Sequence, residues 1–365
     1  MLHHSVGISA RHNLICSLQS MSLSNMTTSP SLSLPTPKSP TLSTDLDPLR
    51  KRTHPRRFIN ALTCSLDEFP SDGSVRHYAI LSHCWVPGQE VSYQEMLELS
   101  RDDTHPSRAK FGFQKISNAC AQALQDGHHY IWVDTCCIDD GNHAHKSQDI
   151  NSMFDYYANS DVCYVYLHDI HRKGLHSVDT DVDISQSKWF SRGWTLQELV
   201  APSKVKFFTE DWRHYHIDSQ RGVSLTEAHR IQGLWGISVE VLTGSRKLQD
   251  IGLKERMSWS IKRSTTVEED RAYCLLGLLG VVMETRDREG VESAFGRLSS
   301  VLYEAYGHEM REYIGPGKAG NGRALMQFME STYNENKALT FKYMKRSNGP
   351  CQLTRIWPDS ASYML

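Results

Sequence analysis

The sequence predicts an α/β fold, in which a parallel sheet flanked by helices is followed by a smaller and mostly helical region. Short apolar runs of strand length alternate with segments whose apolar residues recur at helical spacing. The four runs are residues 78–82, 130–134, 162–167 and 205–208. Strands that alternate with helices pair in parallel through right-handed crossovers, so helices are expected on both faces of the sheet.

Apolar stripes mark the helices between and after these runs. The first stripe ends at Gly127, and a capping-box pattern at 266–269 predicts the start of a later helix. The stripes comprise Ile116, Ala119, Cys120, Ala123 and Leu124; Ile150, Met153, Phe154 and Tyr157; and Ala272, Leu275, Leu276 and Leu279. A further helix is predicted around 255–259.

Composition limits the functional class. The 365 residues allow two domains and a tail, and a net charge of −2 gives no basic field for nucleic acid or an anionic membrane. The nine cysteines are an odd number and lack the spacing of a disulfide framework, which indicates reduced thiols in a cytoplasmic protein. No run is apolar enough to span a membrane, and Arg11 and His12 interrupt any secretory signal.

Four segments are expected. Residues 1–56 are rich in Ser, Thr and Pro and carry too little apolar surface to fold, so they form a disordered tail. The α/β domain is predicted over 57–224 and a helical accessory region over 225–305. Residues 306–365 show no clear period and stay unassigned as a C-terminal tail.

Polar side chains cluster where the predicted strands end. In open α/β sheets the ligand crevice lies outside the carboxyl ends of the strands, so these side chains are candidates for a site. They are Ser82, His83, Asp134, Cys137, Asp139, His168 and Asp169, and Glu198 is a candidate to join them. Ser82 and His83 either line the crevice or cap local backbone.

The segment KWFSRGWTLQEL at 188–199 is the centre of the chain's predicted chemistry. It includes a short helix that must stop before Pro202. Trp194 and Glu198 are four residues apart and share one helix face. A carboxylate against an indole loses water, which raises its pKa into the range of acid–base chemistry. The alternative is a core Trp194 and a solvated Glu198.

Other chemistries fit the pattern less well. Adjacent Cys136 and Cys137 suit zinc poorly despite nearby histidines, so no metal is expected. Cys84 or Cys137 with His83 could form a nucleophile–base pair, although packing is favoured for both thiols. A magnesium site at Asp134, Asp139 and Asp140 ranks lower still, because no lysine is evident at a strand end.

Several motifs in one order closely resemble the fungal heterokaryon-incompatibility (HET) domain. They are YAILSHCW at 78–85, WVDTCCID at 132–139, INSMF at 150–154 with CYVYL at 163–167, and WFSRGWTLQEL at 189–199. ERMSW at 255–259 and EEDRAYCLLG at 268–277 resemble the helical segment that often follows this domain. Val86 stands where the family usually has Gly, and ETRDREG at 284–290 departs from the family's Pro and Tyr-Gly-Glu-Gly turn.

The resemblance implies a function. HET domains trigger cell death when unlike hyphae fuse, and they resemble TIR domains, which are flavodoxin-like. WTLQEL at 194–199 is similar to the TIR helix whose glutamate is catalytic in NAD hydrolysis. By this resemblance Glu198 is the catalytic residue and NAD is a substrate, with no bound cofactor or metal. The expected substrate-binding residues are Ser82, His83, Trp85, Asp134, Cys137, Asp139 and Trp194.

Two functional classes stay open on the sequence. One is an NAD-consuming enzyme activated by self-association. Its carboxylate would stabilise the oxocarbenium-like state of nicotinamide–ribose cleavage. The other is a non-enzymatic, self-associating module that recruits death effectors. Either class implies death-signalling partners and a sensor, which is another chain or the unassigned ends of this one.

Overall fold

A computed structural model describes residues 53–70, 75–171, 183–215 and 221–347. All of them belong to one unit that spans Ser43–Leu365. The predicted disordered tail, residues 1–56, lies outside the described residues except for its last four. The four-segment division of the chain stays a prediction.

The described residues contain a sheet of seven strands in the order β2-β1-β4-β3-β5-β6-β7. The strands are β1 Arg57–Asn60, β2 Ser65–Glu68, β3 Ala79–His83, β4 Tyr130–Trp132, β5 Val162–Tyr166, β6 Val205–Phe208 and β7 His214–Tyr215. β4, β3, β5 and β6 pair in parallel, which confirms the four predicted strands. β1, β2 and β7 were not predicted, and they add antiparallel pairs at both sides.

The parallel strands follow the flavodoxin-like order, with the second strand beside the first and the third and fourth on the other side. The order reverses between β3 and β5, where Ala79 pairs with Val162 and His83 pairs with Tyr166. Such a switch point opens a crevice beyond the carboxyl ends of the strands. The fold therefore places the ends of β3 and β5 at the expected position of a site.

Helices flank the sheet as predicted. They are α1 Tyr93–Leu99, α2 Phe111–Gln125, α3 Asp134–Cys137, α4 His143–Asn159 and α5 Thr195–Val200. α2 and α4 carry the first two apolar stripes, and Gly127 takes a positive φ of 86° just after α2. β4 ends at Trp132, so Asp134 begins a short helix instead of closing a strand.

The region after the sheet is helical, as expected. It contains α6 Leu225–Trp235, α7 Val239–Leu242, α8 Leu253–Ser258, α9 Asp270–Tyr273, α10 Leu276–Leu279 and α11 Val291–Ala305. The capping box predicted at 266–269 is wrong. Glu269 precedes α9 without a side-chain cap, and its carboxylate accepts from Arg288 N at 2.6 Å. The capping box of this region is at Ser224 and Glu227, before α6.

Two helices occupy part of the segment that the sequence left unassigned, α12 Gly307–Tyr313 and α13 Gly322–Ser347. α13 packs against α8 and α11. A Cβ on Gly322 would lie 2.6 Å from both Glu292 O and Gly296 N, so the approach to α11 requires glycine there. Leu325 and Met329 of α13 are buried in the same core as the sheet. No helix of the described residues is long and apolar enough to cross a membrane.

Candidate functional site

Glu198 is a buried carboxyl at the switch point of the sheet. It lies in the first turn of α5, it is 3% exposed, and Ser82 Oγ at the end of β3 donates a hydrogen bond to its Oε2. Trp189 Nε1 donates to the same Ser82 Oγ at 2.8 Å. The interpretation of Glu198 as a solvated helix carboxylate therefore does not hold.

The surroundings of Glu198 favour its protonated form. Burial raises the pKa of Glu198 to about 8, and the charge of Asp134 adds to this shift. The hydrogen bond from Ser82 and the charges of Arg192 and Arg263 oppose it. Glu198 is therefore protonated in most molecules at neutral pH, and it can release that proton near physiological pH.

Trp194 occupies a different position from the one expected. It is half-buried rather than buried, and its Nε1 donates to Asp270 Oδ2 at 2.9 Å. The indole that is hydrogen-bonded to the Ser82–Glu198 pair is Trp189, which is fully buried. Trp194 is the N-cap residue of α5, and it faces the helical region.

A second buried network joins the end of β3 to α2 and α3. His83 Nε2 lies 2.9 Å from Asp134 Oδ1, and Lys115 Nζ lies 2.8 Å from His83 Nδ1. Lys115 also donates to Glu90 Oε1 at 2.6 Å and to Cys84 O at 3.2 Å. Since an ammonium group only donates, His83 Nδ1 accepts, and Nε2 carries the hydrogen given to Asp134.

Asp134 is the acceptor at which this network ends. Burial opposes its ionisation, but the electrostatic interaction with His83 and the hydrogen bonds from His83, Trp85 and Thr135 N hold the pKa of the carboxyl below its ordinary value. The Trp85 bond, from Nε1 to Oδ2, measures 3.0 Å. Asp134 is thus a fixed negative charge beside the neutral, protonated Glu198.

A cavity of about 390 Å³ lies beside Asp134, between the ends of the strands and the helical region. Trp85 and Trp194 contribute indole surface to it, and Asp134 and Asp270 contribute carboxylates. Trp85 is 47% exposed, and the guanidinium carbon of Arg192 lies 5.9 Å from its ring centre. Glu198 and Ser82 are buried and are not among the lining residues of this cavity.

Other predicted site residues have local roles. Cys137 is buried in α3 beside Cys136. Asp139 Oδ1 accepts from Gly141 N at 3.0 Å, which caps a turn. Burial lowers the pKa of His168, and Asp169 accepts from Ser187 Oγ at 2.6 Å. Within the described part of the chain, no group of three or more His, Cys, Asp or Glu side chains is placed to hold a metal.

Sequence reasoning missed Lys115 and Asp270. Lys115 is 1% exposed, and it lies on the buried face of α2, one residue before Ile116 and four before Ala119. The position of Lys115 within the apolar stripe of α2 was a signal that could have been used. Lys115 is also the lysine near Asp134 that the sequence analysis did not find. The pairing of Asp270 with Trp194 left no signal, because 76 residues separate them.

Comparison with known proteins agrees with the motifs. The profile of the heterokaryon incompatibility protein (HET) family matches residues 78–181, which include β3, Asp134 and β5. The chain carries a HET domain. Vegetative incompatibility protein HET-E-1 of Podospora anserina is 40% identical to this chain over 239 residues.

That alignment with HET-E-1 covers 63% of this chain but only 16% of HET-E-1. The chain therefore spans less than a fifth of the length of this relative. No solved structure matches the chain significantly. The HET match places Ser82, His83, Trp85 and Asp134 inside the family profile, whereas Glu198 lies beyond its last matched residue.

Proposed function

We propose that this HET-domain chain acts in heterokaryon incompatibility, as a cytoplasmic fungal signalling protein that triggers programmed cell death on non-self recognition. Two findings support the proposal. The HET profile matches the part of the chain that holds the end of β3, and the relative from Podospora anserina is described as a vegetative incompatibility protein. Self-association and contact with a sensor or death-signalling protein are part of this proposal.

The proposed chemistry is hydrolysis of NAD, with Glu198 as the catalytic carboxylate. The observation that carries it is the position of Glu198, a carboxyl at the switch point of a flavodoxin-like sheet with its pKa raised to about 8. Cleavage of the nicotinamide–ribose bond leaves positive charge on the ribose, which an ionised carboxylate stabilises. Asp134 adds a second fixed negative charge nearby.

The cavity suits one end of this substrate. Its indole walls, Trp85 and Trp194, provide flat surface for a nicotinamide ring, and about 390 Å³ accommodates part of a dinucleotide. Because Glu198 does not line this space, the proposed chemistry requires a rearrangement that opens the Ser82–Glu198 hydrogen bond. Such a rearrangement is consistent with an enzyme that becomes active only on assembly.

One observation favours the non-enzymatic alternative. Glu198 is 3% exposed and does not line the cavity, so the described conformation gives a substrate no access to it. A module that acts by binding alone needs no such access. In that case Glu198 and Ser82 stabilise the join between β3 and α5.

Nicotinamide release separates the two functions. Concentrated full-length protein is incubated with NAD, beside Glu198→Gln and the control Glu227→Gln. Glu227 is also buried, and glutamine can replace it in the capping box of α6. We expect Glu198→Gln to lower the rate by about two to three orders of magnitude, and Glu227→Gln to leave it unchanged. A wild-type protein that kills cells but leaves NAD intact would establish the binding module instead.

A further inference from the structure

Two tryptophan–aspartate pairs line the cavity of about 390 Å³ beside Asp134. Trp85 Nε1 donates to Asp134 Oδ2 at 3.0 Å, and Trp194 Nε1 donates to Asp270 Oδ2 at 2.9 Å. The first pair lies just beyond the ends of β3 and β4, and the second pair joins the start of α5 to α9. Two separate parts of the wall therefore present the same combination, an indole with a carboxylate bonded to its N–H group.

The wall of this cavity carries more acidic than basic side chains. Its basic residues are Lys146 and Arg286, and its acidic residues are Glu90, Asp134, Asp140, Glu269, Asp270 and Asp287. Lys146 pairs with Asp140 at 3.1 Å. The donors to Asp134 and Asp270 are neutral indole, imidazole and peptide groups, so these hydrogen bonds do not cancel the two negative charges. Burial raises the pKa of Asp270 to about 6, which leaves its carboxyl mostly ionised at neutral pH.

The two indoles add surface that attracts cations. The face of an aromatic ring is electron-rich and attracts a cation within about 6 Å, and the indole of tryptophan does so most strongly. The guanidinium carbon of Arg192 lies 5.9 Å from the ring centre of Trp85, so this ring already lies beside a positive charge. Trp85 is 47% exposed and Trp194 is partly buried, so both indoles keep surface that a ligand in the cavity can contact.

We propose that this cavity binds a quaternary organic cation, a pyridinium or a tetraalkylammonium, at the Trp85–Asp134 and Trp194–Asp270 pairs. A quaternary nitrogen has no N–H group to donate, and Asp134 already accepts three hydrogen bonds, so recognition depends on charge and indole contact. The volume of about 390 Å³ lies within the range of about 300–1,000 Å³ that small-molecule sites use. The nicotinamide ring of NAD belongs to this class, but the proposal concerns binding and does not depend on NAD cleavage.

The test uses the purified full-length chain and two matched pairs of probes. Nicotinamide methylated on its ring nitrogen is a pyridinium cation, and nicotinamide is its neutral counterpart. Choline is a tetraalkylammonium, and its neutral counterpart is the dimethylbutanol in which carbon replaces the quaternary nitrogen. Calorimetry at neutral pH and constant ionic strength measures each affinity. We expect one cation or both to bind at least about tenfold more tightly than the neutral counterpart, and the pair that responds identifies the kind of cation. Equal affinities within both pairs, or no binding by any probe, would overturn the proposal.

Matched variants locate the binding. Trp85→Leu removes one indole from the wall and should lower the affinity for the cation by at least about tenfold. Trp235→Leu is the control, because Trp235 is also partly buried but does not line this cavity. Asp270→Asn keeps the shape of the side chain and removes one negative charge, so it should weaken binding of the cation and leave that of the neutral counterpart unchanged. Wild-type affinity for the cation in Asp270→Asn, or in a folded Trp85→Leu, would show that the cation binds elsewhere.

Discussion

Trp189 donates its indole hydrogen to Ser82 at 2.8 Å, across 107 residues of sequence. Ser82 in turn donates to Glu198, so one hydroxyl joins the segment before α5, the end of β3 and the candidate catalytic carboxyl. Both the indole of Trp189 and the carboxyl of Glu198 are buried. The indole that is hydrogen-bonded to the Ser82–Glu198 pair is therefore that of Trp189 and not that of Trp194.

The two tryptophans should differ in their effect on stability. Trp189→Ala removes a fully buried ring and should lower the free energy of unfolding by roughly 3–5 kcal/mol. Trp194→Ala should lower it by less, because Trp194 is only partly buried and already exposes some of its surface to water. Urea denaturation of both variants measures the difference. Equal losses would mean that Trp194 is as deeply packed as Trp189.

Lys115 should be far more important for stability than a neighbouring lysine on the surface. Lys115→Met leaves Glu90 and His83 without their buried partner, and it should lower the free energy of unfolding by about 3–5 kcal/mol. Lys110→Met is the control. Lys110 pairs with Glu95 in a partly exposed position, so its removal should cost about 0–1 kcal/mol.

Chemical denaturation in low and high salt checks the Lys115 prediction. The effect of Lys115→Met should persist in high salt, because buried pairs are screened little. If the two methionine variants proved equally stable, the network between Glu90 and Asp134 would contribute nothing measurable to folding.

The sequence predicted the four parallel strands because each is a short and largely apolar run, and most positions of these strands are buried. β5, for example, is buried at all five positions. β2 could not be found in this way, because Ser65–Glu68 is polar and partly exposed and forms a strand only by pairing with β1. β7 has two residues, which is too short for any period to show.

The sequence identified the region of the site but not its partners. Glu198 and Ser82 were both candidates, and the structure brings them together. The four-residue spacing pointed to Trp194, but that side chain pairs with Asp270, which reaches it from the helical region. Long-range contacts of this kind depend on packing between distant segments, and no local pattern encodes them.

Glu198 should make stability fall as pH rises. The folded-state pKa of about 8 is above the ordinary value of 4.5. At a pH between these two values the folded chain holds a proton that the unfolded chain releases. The stabilisation from Glu198 is therefore complete below pH 4.5 and is lost gradually as the pH rises to about 8. Glu198 alone contributes a slope of about 1.4 kcal/mol per pH unit in this window.

Glu198→Gln isolates this contribution. The variant cannot ionise at this position, so its stability relative to wild type should improve steadily as pH rises to about 8. Denaturation at several pH values measures the difference between the two proteins, in which the shared titrations of other groups cancel. A difference that does not change with pH would mean that Glu198 titrates at its ordinary value.

The proposed NAD cleavage should have the opposite dependence on pH. Only ionised Glu198 stabilises the developing positive charge, so the rate should rise with pH and level off above about 8. Asp270→Asn is the matched control. Burial raises the pKa of Asp270 to about 6, and Asp270 lines the cavity and accepts a hydrogen bond from Trp194. The rate of Asp270→Asn should therefore still rise towards pH 8, and Glu198→Gln should have a low rate at every pH.

If wild type cleaves NAD with a rate that is flat between pH 6 and 9, the ionisation that matters is not that of Glu198. A catalytic carboxylate would then have to be sought among Asp134 and the other acids of the cavity wall.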